Sequence, residues 1–419
     1  MSLLYSSTRG FANVADYREA ARRRLPRIAF DYLDGGAEDG RTLERNRSAF
    51  AEIHFAPRAM VDVSHVSAAA DLSGYASAAP MVVGPTGLNG FFWPKADEML
   101  ARGAAARGVP FALSSASTSL LEDVRAAVPE GELWMQLYVQ RDRRITESIM
   151  RRASEAGYTT LLVTVDTPVH GKRDHDIHNN YRLPLPVTPK LIADLLTHPH
   201  WALQMARQGT PQLVNLAKSL GEAPDLQRQA AALARQMDLS LAWSDIAWLR
   251  KHWHGPVLIK GVLSVDDALL AQRHGADGIV LSNHGGRQLE GAHAPIEVLP
   301  AVVDAVGRSL DVYLDSGVRR GADIVKAVAL GARGVLLGRA PLYGVAARGQ
   351  AGVHHVLRLL LDEIVTTMTL LGSCDLATLP QRIAGTRPGT ARNAGTPVDA
   401  VPAVGSEPTL TARPGFVHS

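Results

Sequence analysis

The stretch His274–Gln288 reads H-G-A-D-G-I-V-L-S-N-H-G-G-R-Q, and Gly331–Arg339 echoes its first part as G-A-R-G-V-L-L-G-R. Each carries, at or next to its first residue, the glycine that closes a helix (Gly275 and Gly331), and then runs into a nearly continuous apolar strand. Six more runs of this kind occur, at Met81–Thr86, Phe111–Ser115, Trp134–Val139, Thr159–Asp166, Val257–Gly261 and Val312–Gly317. With Gly278–Asn283 and Gly334–Arg339 they make eight. Helical patterns lie between them at Asp97–Arg107, Leu120–Ala127, Arg144–Ala156, Val265–His274, Pro295–Val306 and Gly321–Leu330. Eight buried strands alternating with helices predict an α/β fold, a (β/α)8 TIM barrel. The rival is an open dinucleotide-binding sheet, but the chain has no G-x-G-x-x-G, and no G-x-x-x-x-G-K-[ST].

Three parts fall outside the eight units. Residues 1–60 read as a polar, helical N-terminal segment, with Asp16–Arg24 and Glu38–Phe50 the clearer stretches. About ninety residues separate strands four and five, against about a dozen for an ordinary crossover. The insertion after strand four spans about residues 184–237. From about Pro380 the chain is rich in Pro, Gly, Thr and Ala without apolar period. Residues 1–379 therefore read as one barrel domain and 380–419 as a flexible tail.

Composition narrows the function. The 419 residues are 46% hydrophobic and 20% charged, which is ordinary for a globular protein. Lys+Arg 44 against Asp+Glu 41 leaves a net charge of +3, too little over this length for a nucleic-acid binder. A single cysteine, Cys374, excludes an intrachain disulfide and a Cys-ligated zinc or iron–sulfur site, and points to a reducing, intracellular compartment. The first 24 residues lack the apolar core of a signal peptide. The uncharged run Leu72–Pro94 holds four glycines and three prolines, too many for a lipid-facing helix. His175 and His178, or His354 and His355, have no third ligand in sequence, so no metal site is expected.

Barrel active sites lie at the C-terminal ends of the strands. Those ends carry Pro85-Thr86-Gly87, Ser114-Ser115, Gln136 and Tyr138, Thr164 and Asp166, Lys260, Ser282-Asn283-His284, Asp315-Ser316-Gly317 and Gly338-Arg339. Any one of these alone reads as a strand terminator or helix cap. Ser282–Gln288 reads differently. His284 leaves a buried strand, two glycines let the backbone turn, and Arg287 follows. That sets a general base beside a guanidinium suited to a carboxylate.

S-N-H-G-G-R-Q-L at Ser282–Leu289 is similar to the signature of the FMN-dependent α-hydroxy acid dehydrogenases and oxidases. Four further segments resemble most closely the membrane-associated, mandelate-oxidising branch of that family. They are F-D-Y-L-D-G-G-A-E-D (Phe30–Asp39), G-P-T-G-L-N-G (Gly84–Gly90), W-P-K (Trp93–Lys95) and L-L-G-R-A-P-L-Y-G-V-A-A-R-G (Leu336–Gly349). The similarity runs from about Val14 to Gly372. It implies FMN as cofactor and oxidation of an (S)-2-hydroxy acid. (S)-Mandelate to benzoylformate is the first expectation; L-lactate to pyruvate, or a 2-hydroxy acid oxidase using O2, are the alternatives. The resemblance assigns His284 as catalytic base, Asp166 as its partner, and Tyr138 to the substrate hydroxyl. Arg173 and Arg287 would clamp the substrate carboxylate, with Tyr32 adding a hydrogen bond. Lys260 would sit at the electron-rich edge of the flavin. Thr86, Ser114, Gln136, Thr164 and Ser282 would bind ring and ribityl chain, and Asp315, Gly317, Arg319, Gly338 and Arg339 would complete the cofactor site toward the phosphate. Gly87 stands where related oxidases carry Ala, opening room for an aryl group. Asn179-Asn180-Tyr181, Ser316 and Ala340 depart from the family pattern and are expected to lie outside the chemistry. A barrel isomerase and a non-catalytic flavin-binding barrel are the readings from other classes, and neither has a use for two arginines beside a paired histidine.

Within Arg182–Lys218 four cations (Arg182, Lys190, Arg207, Lys218) face one acid, Asp194. Interleaved apolar groups include Leu191, Ile192, Leu195, Leu196, Trp201, Leu203, Met205, Leu213, Val214 and Leu216. Such a segment suits a monotopic contact with an anionic membrane, or else a lid or oligomer contact. With the resemblance, it leads to the expectation of a peripheral protein on the cytoplasmic side of the inner membrane, passing electrons to a quinone or similar acceptor. A homotetramer is expected on the same ground.

Overall fold

The computed structural model describes residues 10–181, 188–209, 211–220 and 237–384. Eight strands close into a parallel barrel: β1 (Met81–Val83), β2 (Phe111–Ser114), β3 (Leu133–Leu137), β4 (Thr160–Thr164), β5 (Val257–Val262), β6 (Gly278–Leu281), β7 (Asp311–Leu314) and β8 (Gly334–Leu337). They follow one another in chain order, and β8 returns to β1 with Val335 opposite Met81.

The two-residue strand period divides the apolar side chains into two sets. One residue from each strand points inward: Val82, Ala112, Trp134, Leu162, Leu258, Val280, Tyr313 and Leu336. The set is filled unevenly, with Trp134 packed edge-on against Tyr313 at 5.8 Å and only Ala112 opposing on β2. A hairpin of Ala70–Leu72 and Tyr75–Ser77 plugs the N-terminal end. Leu72 joins the inner set, and Ser73 Oγ lies 2.9 Å from the Tyr313 hydroxyl. The alternate residues, such as Leu113, Met135, Val163, Ile259 and Leu281, face the surrounding helices.

Those helices are Ala96–Ala105, Leu121–Ala127, Arg143–Glu155, Ile246–His252, Val265–Arg273, Pro295–Val306, Gly321–Ala329 and Arg339–Leu371. The last one kinks at Arg348-Gly349, where Gly349 has φ 57°. The N-terminal segment forms three helices, Val14–Arg24, Arg27–Asp34 and Arg41–Ala51. Asn13 caps the first through the amides of Ala15 and Asp16, and Pro26 separates it from the second, which the sequence pattern did not resolve.

The insertion contributes helices Asp174–His178, Pro189–Thr197, Pro199–Gln208 and Val214–Leu220. Its apolar groups do not all face outward. Trp201 is 2% exposed, and Leu213 and Leu216 are equally buried, so these three anchor the segment to the barrel and do not belong to a membrane face. Trp201 Nε1 donates to the Phe91 carbonyl at 2.9 Å. Ile192, Leu196 and Leu203 are 47%, 77% and 49% exposed. No described helix is long and apolar enough to cross a membrane. The segment expected as a tail starts as bound structure. Ile383–Ala384 pairs antiparallel with His54–Phe55, and the rest of that segment, like residues 182–187 and 221–236 of the insertion, lies outside the described residues.

Truncating Trp134 empties the centre of the inner layer. Trp134→Ala should lower stability by about 3–5 kcal/mol, read as a fall in the urea midpoint. An unchanged midpoint would mean that this layer is not packed as described.

Candidate active site

The C-terminal ends of the strands surround a cavity of about 560 Å3. All but two of the residues assigned to the site in the sequence line it. The exceptions, Asp166 and Ser282, stand one layer back, each bonded to a residue that does.

His284 sits just past β6 with φ 58°, followed by Gly285 at 68° and Gly286 at 74°. Three consecutive left-handed residues reverse the chain at once; glycine adopts this freely, and histidine only under constraint. The constraint is local: the His284 amide donates to Ser282 Oγ at 3.0 Å, and the Gly285 amide to Ser316 Oγ at 3.0 Å. Thus placed, His284 Nδ1 lies 2.9 Å from Asp166 Oδ1. Burial would raise the Asp166 carboxyl, but His284 and Lys260 beside it, with hydrogen bonds from His284 and Thr167, hold it at about 2. An ionised carboxylate only accepts, so Nδ1 carries the proton and Nε2 is the free base.

Gly261 makes this approach possible. The register of β5 shifts between Lys260 and Val262, and Gly261 has φ 112°. A Cβ there would stand 2.6 Å from Asp166 Cβ. A glycine inside the strand pattern V-L-I-K-G is the signal for such a bulge. The same bulge sets Lys260, only 4% exposed, with Nζ 2.9 Å from Ser282 Oγ and 2.8 Å from Asp315 Oδ2. Burial works against its charge, but the carboxylates of Asp315 and Asp166 outweigh burial and raise its pKa. Beside it Ser114 Oγ donates to Gln136 Oε1, and Gln136 Nε2 donates to Thr164 Oγ1, both at 2.8 Å. The Tyr138 hydroxyl also lies in this wall, its pKa raised by burial and then by Asp166.

Two positive poles complete the cavity. At one, the guanidiniums of Arg287 and Arg173 lie over the Tyr32 ring at 5.1 and 5.4 Å. Arg287 donates to the carbonyls of Tyr32 and Gly35 at 2.8 and 3.1 Å, and Arg173 pairs with Asp176 at 3.2 Å. Burial and the neighbouring Arg173 lower the Arg287 pKa, so this pole favours an anion. At the other are Arg319, Gly317 with φ 90°, and Gly338 at the start of the final helix. A Cβ on Gly338 would meet only Thr86, at 3.7 Å, which leaves the helix N-terminus open to a phosphate. Arg339 lines the cavity but gives its three nitrogens to the carbonyls of Leu33, Gly35 and Gly285 at 3.1, 2.7 and 2.8 Å. Burial, then Arg287, pushes its pKa down to about 9.

Two expectations about departures need correction. Tyr181 lines the cavity, stacked on Tyr32 at 4.7 Å, and Asn179 donates to Asp31 at 2.7 Å. Ser316 donates to Asp315 at 2.7 Å and accepts from Gly285, so it sits inside the base's own support. His170 and Gln288, which the sequence did not single out, also line the site. Burial, then Arg173, lowers the His170 pKa, while Gln288 Nε2 donates to the carbonyls of Asp166 and Val169 at 3.1 and 2.8 Å. Gly87 faces Ala116, where a Cβ would press at 3.2 Å. Among the described residues no cluster of three metal-ligating side chains occurs.

The family profile described as FMN-dependent dehydrogenase matches residues 21–385. An (S)-mandelate dehydrogenase of Pseudomonas putida is 47% identical over 367 residues, 88% of this chain and 92% of that protein. An L-lactate dehydrogenase of Caulobacter vibrioides is 46% identical over 377 residues, 90% of this chain and 98% of the relative. Among solved structures, that of a monotopic membrane (S)-mandelate dehydrogenase superposes with a TM-score of 0.86 at 46% identity, covering 90% of this chain and 99% of its own. With its profile spanning the barrel and its cavity carrying a buried lysine, a polar strand-end ladder and an open helix N-terminus, this chain belongs to the FMN-dependent dehydrogenase family, and FMN is its cofactor.

Proposed function

We propose that the protein oxidises an (S)-2-hydroxy acid with an aryl side chain, mandelate, to the corresponding 2-oxo acid. The observation that carries this is one cavity holding an Asp166-paired His284 and a two-arginine pole at Arg173 and Arg287. Arg287 and Arg173 bind the substrate carboxylate, and both guanidiniums pack on the Tyr32 ring. That orients the carbinol carbon toward His284. His284 Nε2 takes the proton that leaves in the oxidation, and Asp166 stabilises the imidazolium that results. Tyr138 offers its hydroxyl to the substrate oxygen.

FMN supplies the two-electron acceptor. Lys260, Gln136, Ser114 and Thr164 would hold its ring and ribityl chain, with Thr86, Ser282 and Asp315 supporting them. Gly317, Arg319, Gly338 and Arg339 would hold its phosphate. Lys260, whose charge is favoured by Asp315 and Asp166, would place it where electron density gathers on reduction. Gly87, with Leu88, Ala116, Leu213 and Met237 in the same wall, leaves apolar room for a phenyl ring. L-Lactate is the second reading, supported by the 46% identity to a lactate dehydrogenase.

The electron acceptor we propose is a membrane quinone, reached from the cytoplasmic face of the inner membrane by a peripherally bound homotetramer. Exposed Ile192, Leu196 and Leu203 on the insertion helices support the membrane contact.

Anaerobic titration of the flavin absorbance tests the substrate. Mandelate should bleach the flavin at a higher kcat/KM than lactate or glycolate. Faster bleaching by lactate would replace the aryl reading, and no bleaching by any 2-hydroxy acid would overturn the function. The bulge gives a second test. Gly261→Ala should retain FMN but slow its reduction by about tenfold or more, because the added methyl displaces Asp166 from His284. Wild-type reduction in this variant would show that the bulge does not set the base.

A further inference from the structure

Three elements meet around an open cleft of about 590 Å3 that shares no lining residue with the active-site cavity: the C-terminal end of Val14–Arg24, the turn between Pro189–Thr197 and Pro199–Gln208, and the kink at Arg348. Arg23, Arg24, His198, His200 and Arg348 line it. The acids in its wall are committed elsewhere. Asp16 accepts from the amides of Ala12 and Asn13 at 2.7 and 3.2 Å, and Glu19 pairs with Arg22 and Arg23 at 2.7 and 2.9 Å. His198 is held by Asp194 at 3.2 Å.

Arg24 and Arg348 are left without a carboxylate among the described residues. Arg24 lies on Trp93, 3.7 Å from the ring centroid, and donates one nitrogen to Gln204 at 2.9 Å. Its buried Nε has no partner. Arg348 stands over Phe11 at 5.5 Å. A Cβ on Gly349 would come within 3.0 Å of the Trp93 ring, so kink, Trp93 and Arg24 pack as one unit. Burial and then Arg348 lower the Arg24 pKa. The helix Pro199–Gln208 begins at this cleft with no side-chain cap, leaving the first-turn amides of His200 and Trp201 without intrahelical acceptors.

We propose that this cleft binds a phosphate group, gripped by Arg24 and Arg348 against the N-terminus of Pro199–Gln208. A phosphate presents enough acceptor oxygens for two guanidinium forks and backbone amides together. A lipid headgroup and a free phosphate offer the same chemistry. The same two insertion helices expose Ile192, Leu196 and Leu203, which favours the headgroup. Only that choice of source rests on the membrane contact proposed above; the site itself does not.

The test compares the FMN-loaded protein with its Arg348→Gln and Arg24→Gln variants. Binding of inorganic phosphate is read by calorimetry. Binding to phosphatidylcholine vesicles, with and without phosphatidylglycerol, is read by sedimentation. Wild type should bind phosphate saturably, and each variant about tenfold or more weakly. Turnover of Arg348→Gln with substrate should match wild type, which separates the cleft from the active site. Binding to phosphatidylglycerol vesicles that falls in both variants assigns the headgroup as the source. Phosphate binding without vesicle binding keeps the site and overturns the membrane contact. Absence of phosphate binding in wild type, or equal binding in all three proteins, overturns the site.

Discussion

The contact between the buried Asp166 carboxylate and His284 Nδ1 at 2.9 Å is the interaction on which the rest of the site depends. Asp166 also feels Lys260, which in turn meets Asp315 at 2.8 Å, so two carboxylates flank one buried ammonium beneath the cavity, with the His284 ring bonded at the outer end. Away from water such charges are weakly screened, and removing one strands its neighbours at a cost of about 3–5 kcal/mol. Much of the local backbone serves this chain. The Gly261 bulge admits Asp166, Gln288 ties down the Asp166 carbonyl, and the left-handed run at His284 aims the ring.

The N-terminal segment is part of the site as well as its cover. Carbonyls of Tyr32, Leu33 and Gly35 receive Arg287 and Arg339, and the Ala37 amide donates to the Gly286 carbonyl at 2.8 Å. Asn46 and Asn283 exchange side-chain hydrogen bonds at 2.8 and 2.6 Å. The loop after β6 is thereby fixed from outside the barrel, and Tyr32 is delivered to the arginine pole. Through Phe91, which stacks edge-on with both Tyr32 and Trp201, the insertion reaches the same aromatic cluster.

The barrel was legible because its strands are buried on both faces and its helices end in glycine turns; both are local signals. His284 and Arg287 were legible for a similar reason, since the two glycines between them mark a backbone that must reverse. Long-range features were not. Helix Arg27–Asp34 is only eight residues long and carries no side-chain cap, so its start is weakly marked. Trp201 looked interfacial beside its leucines, and only the fold shows that Phe91 covers it. Tyr181 and Ser316 looked like neutral departures because their partners, Tyr32 and Gly285, lie far off in sequence. Arg339 was legible as a cavity residue, but its hydrogen bonds to backbone carbonyls of the N-terminal segment and the loop after β6 were not.

The most direct test of the account is the anaerobic rate of flavin reduction by substrate in Asp166→Asn. An amide in place of the carboxylate keeps the volume but removes the charge that stabilises the His284 imidazolium. The reduction rate should fall by about 10²-fold or more while KM changes little, because Arg173 and Arg287 still hold the carboxylate. A reduction rate within about twofold of wild type would contradict the central role of the Asp166–His284 contact.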